Sequence, residues 1–218
     1  MITDRDKRVI VAIGEHKILS HQQIQKLEFS TKAGYYNLQR RMRKEYLNGY
    51  LQRWYIDVDS KGNKLALFKL DTKGKNLYKE LTGNNYKIPR WNLHYVPHLI
   101  ETNQVLIDIK ESIRKFDLEY SIGSVKMDAL IQTKRGKKVA LEVDLSESEP
   151  KKEIIRQFQA YEDLYYHHRI PDILVWYSNR YERLDKWMEE KSTTNLKILF
   201  LPRTKEKRNR LKNKLNLL

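Results

Sequence analysis

Along the first third of the chain the apolar residues recur at helical spacing three times and then change to strand-like runs. Val9, Ile10, Ala12 and Ile13 follow Thr3, which can cap a helix, and Asp4 and Asp6 occupy the first turn, where the helix dipole favours acids. Gly14 is expected near the end of this helix. Ser20 opens a second, short helix over residues 21–27, with Ile24 and Leu27 on one side. Thr31 starts a third helix reaching to about Asn48, in which Tyr35, Leu38, Met42 and Tyr46 form the apolar face and Gly49 closes it. Residues 50–57 and 64–70 then read as two strands joined by Asp59-Ser60-Lys61-Gly62-Asn63. An amphipathic helix over residues 72–81 closes the unit, and Gly83-Asn84-Asn85 with Pro89 marks a linker over residues 83–92.

The polar side of the third helix carries Lys32, Tyr36, Asn37, Arg40, Arg41, Arg43 and Lys44, side chains suited to base edges and phosphates. Such a face also suits ordinary solvent exposure. The strand pair after it tips the balance: helix, short helix, long basic helix and two-stranded ribbon is the order of a winged helix-turn-helix, here residues 1–82. In that arrangement the third helix enters the major groove of duplex DNA, and Arg53, Lys61 and Lys64 of the ribbon reach the flanking backbone. Winged helices also serve as protein-interaction modules, so the ligand has to be argued from charge.

In the second half, residues 93–116 keep helical spacing through Leu99, Val105, Leu106, Ile109 and Ile113. His94 and His98 stand four apart on this helix, but no third ligand nearby supports a metal site. Two strands, 127–133 and 138–144, flank Lys134-Arg135-Gly136-Lys137, and a helix over residues 148–167 turns Ile154, Ile155, Phe158, Tyr161, Leu164 and Tyr165 inward. A strand at 173–176, a helix at about 180–191 and a strand at 197–201 complete an α/β layout over residues 93–202. If the hairpin loop is Lys134-Arg135-Gly136, with Gly136 left-handed, facing residues have numbers summing to 270. Asp128 then faces Glu142, and Lys126 faces Asp144. Three carboxylates and one ammonium on one face fit either a site for Mg²⁺ or Mn²⁺ in phosphodiester hydrolysis or a structural ion-pair cluster. Tyr161, Tyr165 and Tyr166 beside His167 and His168 offer a further, less supported nucleophile for strand transfer.

Composition sharpens this picture. The 218 residues are 40% hydrophobic and 11% aromatic, enough for a substantial core. The net charge of +15 is unevenly spread: 19 basic against 9 acidic residues over 1–90, 17 against 18 over 91–202, and 7 against 1 in the basic tail 203–218. A basic first unit, a near-neutral middle and a basic tail suit a module that meets a polyanion joined to one that does something else. The thin apolar face of the tail, Leu211 and Leu215, favours a solvated end over a helix along phosphates. With no cysteine, disulfides and thiolate zinc sites are excluded. No apolar run of membrane-spanning length appears and the N-terminus is charged, so a cytoplasmic protein without membrane contact is expected.

Thr3-Asp4-Arg5-Asp6, Val9-Ile10, Leu27, Phe29, Leu38, Arg40-Arg41 and Leu47-Asn48-Gly49-Tyr50-Leu51 resemble the opening of the replication-relaxation family of plasmid and phage proteins. The likeness continues through His98-Leu99, Asn103, Asp128-Ala129, Leu141-Glu142-Val143-Asp144 and the helix holding Tyr161. It implies a role in plasmid or phage replication, copy control or DNA relaxation. The second half also resembles the PD-(D/E)XK nuclease core, with Asp128 and Glu142 as its carboxylates and candidate metal ligands. Position 144 is Asp where that pattern has lysine, and residue 127 is Met where proline precedes the first Asp. Lys126 is the available substitute. The expected function is therefore a protein that binds double-stranded DNA, as a monomer or a homodimer, in replication or transcription regulation, with no cofactor needed and a nuclease-like domain that no longer cuts. The alternative is a metal-dependent endonuclease or nickase using Asp128, Glu142, Asp144 and Lys126. A third reading is a module that binds acidic proteins.

Overall fold

The computed structural model describes residues 2–29, 32–57, 63–89, 95–145, 151–168, 170–178, 196–201, 211 and 215. They form two compact units, Met1–Ile107 and Asp108–Leu218. Both mix helices and strands, as the alternating periodicities predict.

The first unit runs α1 (Asp4–His16), β1 (Leu19–Ser20), α2 (His21–Glu28), α3 (Lys32–Leu47), β2 (Leu51–Asp57), β3 (Lys64–Leu70), α4 (Thr72–Thr82) and α5 (Tyr95–Asp108). Its antiparallel sheet has the order β1-β3-β2. Two capping boxes set the starts of α1 and α2: Thr3 with Asp6, and Ser20 with Gln23. Val9, Ile10, Ile13, Ile24, Leu38, Met42, Leu51, Phe68 and Leu70 share one core. Gly14 does not end α1, which continues to His16. A Cβ at Gly14 would lie 2.2 Å from the Tyr78 ring, so glycine here lets α4 approach α1. Lys17, at φ 64°, makes the turn instead.

The sequence places the helix after residue 92 with the second half and runs it to residue 116. In the structure it ends at Asp108, and its residues to Ile107 lie in the first unit. Asn103, completely buried, donates from its amide to the carbonyls of His16 and Ile18, at 3.0 and 2.7 Å. Its Oδ1 meets His16 Nδ1 at 2.9 Å, and burial pushes the His16 pKa down to about 4. Along the stretch expected to be a linker, the Tyr86 hydroxyl donates to the Lys17 carbonyl and Pro89 is buried.

In the second unit a short 3-10 turn, Lys110–Ser112, leads into β4 (Ile113–Ile122), followed by β5 (Val125–Thr133), β6 (Lys138–Asp144), α6 (Lys151–His168), β7 (Ile173–Ser178) and β8 (Lys197–Leu201). The strand β4 departs from the expected helix. Ile109, Ile113 and Phe116 prolong the helical spacing, while Phe116, Leu118, Tyr120 and Ile122 alternate as a strand does. The sheet order is β4-β5-β6-β7-β8, with antiparallel pairs up to β6 and parallel pairs beyond. The crossover α6 lays Ile154, Phe158, Tyr161 and Leu164 in one cluster with Met127, Ala140, Leu174 and Trp176. Leu211 and Leu215, the described residues of the basic tail, are each 1% exposed, so these two side chains are packed rather than solvated. The expected helix at residues 180–191 and the tip of the β2–β3 ribbon lie outside the described residues. Among those described, no helix is long and apolar enough to cross a membrane.

Candidate functional site

The first candidate surface lies on α3 and the ribbon beside it. Leu38 and Met42 are buried, and the opposite side presents Tyr36, Asn37, Arg40, Arg43 and Lys44 to solvent. Arg40 and Arg43 carry no ion pair among the described residues. One member of the predicted set differs from the rest. Arg41 turns inward, its Nη1 2.8 Å from Oδ2 of the buried Asp6, and so ties α3 to the start of α1. Lys32 is the first residue of α3; its side chain, like Lys61, lies outside the described residues. On the ribbon Lys64 is exposed opposite Asp57. Arg53 is exposed too, and its guanidinium carbon sits 5.1 Å from the centre of the Tyr46 ring and 5.2 Å from that of Tyr55. Tyr46, assigned by spacing to the apolar face of α3, is 41% exposed, with its ring at the guanidinium of Arg53.

Beneath this surface Glu45 is buried, with no hydrogen-bond partner for either carboxylate oxygen among the described residues. Burial first, and the nearby Asp6 second, push its pKa up, while Lys44 and Arg41 oppose them.

The second candidate is the carboxylate group of the β5–β6 hairpin. Gly136 takes φ 83° in the loop, and the ladder pairs Gln132 with Lys138, Ile131 with Val139, Leu130 with Ala140 and Ala129 with Leu141, the register that the loop chemistry predicts. Beyond Ala129 the Asp128 carboxylate turns to the neighbouring backbone, accepting from Val143 N–H at 2.7 Å. Glu142 accepts from the Tyr161 hydroxyl of α6. Burial, and then the charge and hydrogen bond of Glu142 with a further contribution from Asp128, drive the Tyr161 pKa far upward. This hydroxyl is a permanent donor, which works against the nucleophile considered from sequence. Tyr166 is exposed and packs edge-on against His167.

The other two members go elsewhere. Asp144 accepts from Ser178 Oγ of β7 at 2.7 Å. Lys126 pairs with Glu119 of β4 at 3.6 Å and is largely exposed. The cause is β4 itself, which runs antiparallel to β5 and brings Glu119, at φ 51°, within reach. Among the described residues no group of three or more acidic or histidine side chains could hold a metal ion. Sequence spacing cannot link Tyr161 to Glu142, because a crossover separates them; it can flag Tyr55 and Arg53, which alternate onto one strand face.

A sequence model of the family described as Replication-relaxation matches residues 11–172. No curated protein matches the chain. Among solved structures the chain is similar to one titled "Structure of EndoMS-dsDNA2 complex", at 14% identity over 71% of this chain and 66% of that one, with a TM-score of 0.36.

Proposed function

The chain belongs to the replication-relaxation family, and on that premise we propose that it binds double-stranded DNA in plasmid or phage replication, copy control or transcription regulation. Its first unit acts as a winged helix, with α3 in the major groove and the β2–β3 ribbon on the flanking backbone. The observation that carries this reading is the row Tyr36, Asn37, Arg40, Arg43 and Lys44, exposed together on the side of α3 opposite its buried Leu38 and Met42. The second unit serves as a PD-(D/E)XK-like scaffold that does not cut. A protection footprint on DNA flanking the coding region tests the reading and shows site symmetry. A homodimer would protect two half-sites about one helical turn apart. No shift of duplex DNA at about 0.15 M salt would overturn it.

The rival reading, a metal-dependent endonuclease or nickase, needs Mg²⁺ or Mn²⁺ held by Asp128 and Glu142. The residues fit that role poorly. One Asp128 oxygen is engaged by backbone, one Glu142 oxygen by a phenol, and Lys126 by Glu119. Among the described residues, a third acid is not brought to the pair.

A further inference from the structure

Tyr46 in the last turn of α3 and Tyr55 on β2 flank a single guanidinium, that of Arg53, yet remain 41% and 51% exposed. Arg53 and Tyr55 alternate onto the same strand face, opposite Phe68 and Ala66. That face begins in the core at Leu51 and emerges into solvent at Arg53, so the aromatic rings continue the core outward along the edge of α3. One tyrosine would be enough to clip β2 to α3. The second ring, more exposed than the first, adds π surface where solvent would favour a charged or small side chain. Beside it α3 contributes only positive charge on its exposed face, at Arg40, Arg43 and Lys44.

We infer that Tyr46, Arg53 and Tyr55 form a stacking platform for an unpaired nucleobase, so that the protein prefers duplex DNA containing a locally opened segment. Every base offers a π face, and a cation already held between two rings spares the ordering cost of building the site on binding. Arg43, three residues before Tyr46, is placed for the phosphate next to such a base. The inference rests on the duplex-binding reading and adds a substrate class to it.

The test is a fluorescence-polarisation titration of the full chain with two labelled duplexes of equal length, one fully paired and one with a central run of unpaired bases. The opened duplex is expected to bind about tenfold tighter, the scale of one base stacked on an aromatic ring. Tyr55→Ala should abolish the preference, weakening binding of the opened duplex about tenfold more than binding of the paired one, while Tyr55→Phe should keep the preference. Equal affinity of the unaltered protein for both probes would overturn the inference. So would a Tyr55→Ala variant that melts normally and binds both probes equally more weakly, or competition by poly-glutamate as strong as by DNA. The two readings fail separately. Paired binding that responds to Arg40→Ala without any preference for opened DNA removes only the platform, whereas binding of opened DNA alone removes the duplex reading and keeps the platform.

Discussion

Arg41 Nη1 lies 2.8 Å from Asp6 Oδ2, an oxygen that also accepts from the backbone N–H and the hydroxyl of Thr3. The pair joins α3 to the capping box of α1, and Asp6 is only 2% exposed. Arg41 and its neighbour Arg40 therefore have separable roles. Arg41→Ala leaves a buried carboxylate without its cation and should lower unfolding free energy in urea by about 2 kcal/mol. Arg40→Ala should leave stability within about 0.5 kcal/mol, weaken duplex binding, and make its salt dependence shallower by about one counterion. Equal stability of the two variants would disprove this division.

Glu45 gives a pH dependence of unusual sign. Its pKa is raised in the folded protein by burial, so the folded state holds this proton at pH values where the unfolded state has released it. The resulting penalty is fully present above the folded pKa and vanishes as pH falls below 4.5, the ordinary value. Glu45→Gln should accordingly stabilise the first unit at pH 7 by about 1–2 kcal/mol, and the gain should shrink toward pH 4. His16 acts in the opposite sense, since a pKa lowered to about 4 removes stability as pH drops below 6.5. Measuring the difference between variant and parent cancels that contribution. A gain that grew on acidification would refute the assignment.

The Tyr161 hydroxyl and Glu142 carboxylate should be energetically coupled. In a double-mutant cycle of Tyr161→Phe and Glu142→Ala, unfolding should report a coupling of about 1 kcal/mol, because either single change removes the hydrogen bond between the phenol and the carboxylate. Additive losses would mean that the contact does not contribute to stability.

Supercoiled plasmid incubated with the protein and Mg²⁺ or Mn²⁺ should stay supercoiled on an agarose gel. Conversion to nicked or linear product, abolished by Glu142→Ala, would instead establish the endonuclease reading.

Local chemistry is legible in the sequence and long-range placement is not. Thr3 with Asp6 and Ser20 with Gln23 mark helix starts within four residues, and Gly136 fixes a hairpin register that the ladder reproduces from Gln132–Lys138 to Ala129–Leu141. Each depends only on neighbours along the chain. Arg41 groups with Arg40 and Arg43 by sequence because helical spacing says which residues share a helix, not which buried acid lies across the core. Lys126 escapes for a related reason: its partner Glu119 sits on a strand whose first apolar residues mimic a continuing helix. Turn chemistry carries the register as far as Ala129 and Leu141, but the phenol that engages Glu142 comes from a crossover helix that no register reaches.

The reach of Asn103 back to His16 and Ile18 bears on how this protein can be divided. A fragment cut after α4, the boundary suggested by the winged-helix pattern, would remove the Asn103 donor from the His16 and Ile18 carbonyls, although the His16 carbonyl would keep its bond from Ile18 N–H, and would uncover apolar side chains that pack against Ile107. Extending it through residue 107 keeps both, so the shortest piece that preserves the interior of the first unit includes a helix lying outside the winged-helix pattern.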